Sequence, residues 1–147
     1  KLFSLILTMC TLKSLAQADE NAIKAVINNM FNGMRKSDSA LIHSAFAPKP
    51  ILQTIIKNKE GKVMVRSEVV DSFIIAVSRP HKEVFDERIT FDMIKIDGDL
   101  ATVWTPYQFF IDEKFSHCGV NSFQLVRLNG EWKIQYLIDT RRRQDCK

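Results

Sequence analysis

The sequence has no glycine-rich phosphate loop, no nucleophile elbow and no dinucleotide-binding fingerprint. Those absences exclude the common motif-borne routes to nucleotide binding and serine hydrolysis. Histidine is scarce, and His43, His81 and His117 lie far apart with no carboxylate at ligand spacing. A structural or catalytic metal centre is therefore not expected. Charge of one sign is lacking too: 21 Lys and Arg face 17 Asp and Glu, too mild an excess for a nucleic-acid binder, which carries a clustered basic face. No apolar run reaches the roughly 20 residues that a membrane-crossing helix needs.

The longest apolar run, residues 2–12, is broken only by Ser4, Thr8 and Thr11 and follows Lys1. Ala16-Gln17-Ala18 then supplies an A-x-A cleavage pattern, so residues 1–18 read as a secretory signal peptide and 19–147 as the mature domain. A periplasmic or secreted protein with no membrane span in its mature chain is the expectation. Cys10 has no small residue directly before it, which argues against lipid modification. Removing 1–18 deletes Lys1, Lys13 and Cys10, leaving 19 basic and 17 acidic residues and two cysteines. In an oxidising compartment that even pair, Cys118 and Cys146, suggests one disulfide.

The remaining stretch, about 129 residues, is one domain's worth. Ala22, Ile23, Val26, Ile27, Met30, Phe31 and Met34 recur at three- and four-residue spacing, which predicts an amphipathic helix with Asp19 as N-cap and Gly33 loosening its last turn. A short second helix is predicted over 39–46, capped by Asp38 or Ser37 and stopped by Pro48 and Pro50. Residues 51–57 and 62–66 flank Asn58-Lys59-Glu60-Gly61 as a hairpin. Ser67 then caps a third helix with Val70, Phe73, Ile74 and Val77 inward. Strands follow over 88–96 and 100–112, joined by Asp97-Gly98-Asp99. This order is an α+β pattern with helices on one side of a strongly bent antiparallel sheet, a cone closed by the first helix.

The C-terminal hairpin is the most specific part. Asn129-Gly130 between two alternating runs is a strong two-residue turn signal. Carried without interruption, that register sets Phe123 opposite Tyr136, Leu125 opposite Ile134, Asn121 opposite Ile138 and Cys118 opposite Arg141. It sends Asp139 and Arg141 to the outer face, as a surface ion pair or an anion contact, with Val126 and Leu137 as outer apolar groups through which a homodimer could form.

The element order resembles the nuclear transport factor 2-like superfamily, also called the cystatin-like cone fold. Val103-Trp104-x-x-Tyr107-x-Phe109, Ser116-His117-Cys118-Gly119-x-x-x-Phe123, Trp132-Lys133-Ile134 and Asp139-Thr140-Arg141 with a terminal Cys146 resemble its "putative lumazine-binding" branch. The resemblance implies a small exported protein and a flavin-like heterocycle as ligand. Enzymes of the same fold, such as ketosteroid isomerases, scytalone dehydratase and polyketide cyclases, set a carboxylate or histidine against tyrosine or protonated aspartate donors.

Two functions stay open on the sequence. A binding or accessory domain would hold a small aromatic or apolar molecule with Trp104, Tyr107, Phe123, Tyr136, Asn121 and Arg141, with no resident cofactor. An isomerase, dehydratase or cyclase would use His117 or Asp92 as base and Tyr107 or Tyr136 as donor. Alternation groups Asp92 with Thr90, Ile94 and Ile96 but does not say which face they occupy.

Overall fold

The computed structural model describes residues 2–79 and 82–146, with side chains from residue 16 onward. In chain order it comprises α1 (Leu2–Lys36), α2 (Ser39–Ala45), β1 (Phe46–Lys57), β2 (Val63–Glu68), α3 (Val70–Ser78), β3 (Phe85–Ile89), β4 (Met93–Asp97), β5 (Leu100–Ile111), β6 (Lys114–Leu128) and β7 (Glu131–Arg142). Three helices pack on one large bent sheet, the α+β class expected. The sheet order is β2-β1-β7-β6-β5-β3, with β4 also on β5. It is mixed rather than wholly antiparallel, because β1 runs parallel to β7.

Helix α1 supplies the core stripe its periodicity predicts. Ile23, Ile27, Met30, Phe31 and Met34 are buried, while Ala22 is exposed. They face Phe123, Leu125, Trp132 and Ile134 of the sheet, each such burial worth about 1.5–3 kcal/mol. The helix does not begin at Asp19 but runs through it. Asp19 instead accepts from Arg127 Nη2 at 2.6 Å and Trp132 Nε1 at 3.4 Å, pinning the helix to the β6–β7 turn. Side chains of the apolar run at 2–12 lie outside the described residues.

The helix ends in a Schellman arrangement: Ser37 has φ 55°, Ser37 N–H donates to Met34 O and Asp38 N–H to Gly33 O. Asp38 then caps α2, accepting from Leu41 N–H at 2.9 Å. Gly33 serves close packing rather than loosening a turn, since a Cβ there would sit 2.6 Å from Ile42 Cγ1. Ser67 does not cap α3. It lies in β2 and receives Gln53 Nε2, and the cap position, Val69, makes no side-chain hydrogen bond. The strand foreseen over 88–96 is two, β3 and β4, paired to opposite halves of β5.

The decisive local feature is a bulge. Asn129 (φ 52°) and Gly130 (φ 84°) make the expected turn, and Leu128↔Glu131 through Leu125↔Ile134 keep the expected register. The register then shifts, and Gln124 pairs with Tyr136, leaving Gln135 as the extra residue. One inserted residue exchanges the faces of everything beyond it. Phe123 therefore pairs with Leu137, Asn121 with Asp139, Gly119 with Arg141 and Cys118 with Arg142. Leu137 and Asp139 turn inward and are buried, which overturns both the outer ion pair and the outer Leu137.

Candidate functional site

Between α1, α3 and the concave sheet face lies a cavity of about 400 Å³. Its apolar wall includes Met30, Phe31 and Met34 of α1, Phe73 and Val77 of α3, and Phe109 and Leu137 of the sheet. A row of polar side chains crosses the floor from strand to strand. Arg66 pairs with Thr54, Thr54 with Asp139, Asp139 with Asn121, and Asn121 with Thr105. Thr54, Asp139, Asn121 and Thr105 are all buried, so this stripe carries hydrogen-bonding demands that an ordinary core avoids.

Those demands are largely met internally. Asp139 Oδ2 accepts from Arg141 Nε at 2.9 Å and from the Tyr107 hydroxyl at 3.2 Å. The same hydroxyl donates to Thr140 O at 2.9 Å, and Arg141 Nη2 donates to Thr54 Oγ1 at 3.3 Å. Burial, then the carboxylates of Asp139 and Glu87, push the Tyr107 phenol upward, so it remains a protonated donor. Gly119 makes this possible: a Cβ there would overlap the Thr140 carbonyl and come within 2.7 Å of the Tyr107 ring. Tyr107 thus lies over a glycine that lets two strands approach closely.

Glu87, on β3, reaches into the same cavity. Its Oε1 accepts from Asn121 Nδ2 at 2.8 Å. Burial is the main cause that raises its carboxyl from the ordinary 4.5 to about 7, with nearby Asp139 adding to the rise and Asn121 and Arg141 opposing it. Its neighbour Asp86 points elsewhere. Burial alone would raise Asp86, but hydrogen bonds from Arg88 and Arg35 win and hold it below its usual value.

His117 lines the cavity, its ring 4.9 Å from that of Phe109 and 5.8 Å from that of Tyr107. Burial, then Arg141, lower its pKa against the pull of Asp139. It is therefore a neutral imidazole at pH 7, with Nδ1 3.1 Å from Ser116 Oγ.

Of the residues proposed from sequence, the cavity gathers His117, Tyr107, Asn121 and Arg141. Arg141 comes inward because of the Gln135 bulge. Asp92 does not join them: it is exposed in the link between β3 and β4, its backbone N–H on Trp104 O. Trp104 is 40% exposed on the outer face. Tyr136 falls on the outer side of the bulge, where its hydroxyl donates to Gln53 Oε1 at 2.7 Å. Phe123 is fully buried core, edge-on to Phe31. The residue that sequence reasoning missed is Glu87, which alternates with Phe85 and Ile89 in β3, a carboxylate between two apolar same-face neighbours.

Behind His117, Cys118 is joined to Cys146, with Cα atoms 5.8 Å apart across 28 residues of chain. No helix among the described residues is long and apolar enough to cross a membrane. A larger open groove, about 660 Å³, runs past Pro48 and Val69 but contains none of Glu87, Asp139, Arg141 or His117.

The fold is shared with solved structures at low sequence identity. A nuclear transport factor 2-like protein of unknown function from Shewanella baltica OS155 matches with a TM-score of 0.65 and 16% identity, over 85% of this chain and 94% of that one. A protein of unknown function with a cystatin-like fold from Nostoc punctiforme PCC 73102 matches with a TM-score of 0.67 and 15% identity, over 86% and 93%. A conserved protein from Planctomyces limnophilus DSM 3776 gives 0.66 and 19%, over 86% and 98%. No curated protein matches. A family model described as "Putative lumazine-binding" matches residues 18–136, and the chain belongs to that family.

Proposed function

We propose that this protein is an exported binding protein that takes a small, flat, largely apolar molecule into its cone. One observation carries the reading: the cavity of about 400 Å³ is walled by apolar and aromatic side chains and has its polar groups on the sheet floor and rim. Ligand sites of about 300–1,000 Å³ with few, convergent polar groups have this character. The family description names lumazine, a bicyclic heterocycle, whose flat shape suits a slot between helix and sheet. Export is supported by the leader pattern of residues 1–18, by a family match that begins at Ala18 and by the Cys118–Cys146 bridge, which belongs in an oxidising compartment. Intact mass of the protein recovered from that compartment is expected to start at Asp19.

Thermal-shift and calorimetric titration with lumazine, flavins and related heterocycles tests the binding. Ala76, on α3 at the cavity, offers the control: A76W is expected to block binding while leaving the melting transition cooperative. Heterocycle binding unaffected by A76W would place the site elsewhere and sink the proposal. A homodimer through the outer sheet face, where Trp104 is exposed, is expected to show in sedimentation and to weaken in W104S.

A second reading, an isomerase-, dehydratase- or cyclase-type enzyme, draws on Glu87 and His117 opening into one cavity as unprotonated or half-protonated bases near pH 7. Tyr107 would orient rather than donate to substrate, its hydroxyl being committed to Thr140 and Asp139. Deuterium exchange at the α-carbon of cyclic ketones, lost in E87Q or H117N, is its test, and no exchange above buffer would remove it.

A further inference from the structure

Among the described residues Glu87 forms no salt bridge, although it lies on the cavity wall within reach of the Arg141 charge. Asp139 has Arg141 at 2.9 Å, whereas among the described residues the only hydrogen bond to Glu87 comes from the neutral amide of Asn121, on Oε1. Its second oxygen accepts from no side chain or backbone group among the described residues. Arg141 is engaged elsewhere, its Nε on Asp139 and one terminal nitrogen on Thr54. Tyr107 has already spent its hydroxyl proton. An unpaired carboxylate at a cavity wall is costly to keep ionised, and a cation entering the cavity removes that cost.

We propose that Glu87 is the anchor of a cation subsite, and that the cone takes flat bases that present paired N–H donors, of the amidine, guanidine or aminoheterocycle class. This rests on the cone being a ligand pocket and specifies what the pocket prefers. A planar amidinium meets a carboxylate through parallel N–H···O bonds, the strongest neutral-pH pairing available to a flat ligand. Its ring would lie against the apolar wall formed by Met30, Met34 and Phe109.

The pH dependence follows from every charged group facing the site. Glu87 shares the cavity with Asp139 and Arg141 of β7, His117 of β6, and Arg66 and Glu68 of β2. Burial raises Glu87 to about 7 and lowers His117 below its ordinary value. Ionising Glu87 between pH 6 and pH 8 favours the cation, so affinity for it rises by about tenfold across that interval. Loss of a proton from His117 would act in the same direction, which makes the Glu87 variant the discriminating one.

The experiment uses three near-isosteric probes, benzamidine, benzamide and benzoate, titrated by ligand-observed NMR into the wild type and E87Q at pH 6 and pH 8. The expected order at pH 8 is benzamidine, then benzamide, then benzoate. In E87Q the preference for benzamidine and its pH dependence both disappear, while binding of benzamide persists. Benzoate binding best would make Arg141 the anchor and overturn the cation subsite while leaving the pocket reading intact. An undiminished pH dependence in E87Q would transfer the effect to His117 and equally overturn it. If none of the probes and none of the bicyclic heterocycles binds, the pocket reading falls and this inference falls with it.

Discussion

Replacing Glu87 by glutamine should stabilise this protein by an amount that grows from about pH 4.5 and is nearly complete by about pH 7. The folded chain holds the Glu87 proton to about pH 7, against an ordinary 4.5. A carboxyl whose folded pKa lies above its unfolded value favours the folded state at low pH and loses that contribution as pH rises through the folded value. Each unit is worth about 1.36 kcal/mol, so the ionised side chain costs on the order of 3 kcal/mol above pH 8. Glutamine keeps the size and can still accept from Asn121 Nδ2, as Oε1 does now at 2.8 Å. E87Q should therefore equal the wild type near pH 4.5 and exceed it near pH 8 by about 3 kcal/mol, or roughly 10 °C in melting temperature for a domain of this size. Asp86 titrates in the opposite sense, held low by Arg35 and Arg88, but it is common to both proteins and cancels in the difference. Urea denaturation at pH 4.5, 6, 7 and 8 measures the gap directly. A gap that is flat across that range would mean that Glu87 is ionised in ordinary solvent, and the account of a desolvated floor would be wrong.

Two further outcomes follow from the same region. G119A should lower stability by about 3 kcal/mol or more, because the added methyl overlaps the Thr140 carbonyl and crowds Tyr107; a loss under 1 kcal/mol in chemical denaturation would show that the two strands are not held at this spacing. Reducing the Cys118–Cys146 bridge, which closes 28 residues, should cost about 3–4 kcal/mol on the chain-entropy account; an unchanged midpoint with reductant present would show that the tail contributes nothing to the fold.

The sequence by itself determined the class and the turn chemistry. The 3.6-residue spacing of Ile23, Ile27, Met30 and Met34 gave α1 its buried stripe, because those side chains must share a face whatever they pack on. Asp38 as a cap and Asn129-Gly130 as a turn were equally legible, being local conformational preferences that need no partner. A period-2 reading of the last strand could not survive its own long reach. It is correct for Trp132 and Ile134 and then inverted by Gln135, which pairs with nothing in β6. No local signal distinguishes that residue, whose amide finds its acceptor on Lys49, 86 positions away. The tertiary structure alone therefore sent Asp139, Arg141 and Leu137 into the cone and Tyr136 out of it. It also decided Glu87 and Asp92. Both are carboxylates in a β-rich stretch, and burial separates them: one is drawn into the cavity beside Asn121, the other left in an exposed link. Desolvation by groups distant in sequence gives Glu87 its unusual proton affinity, and proximity of that kind exists only once the sheet has bent.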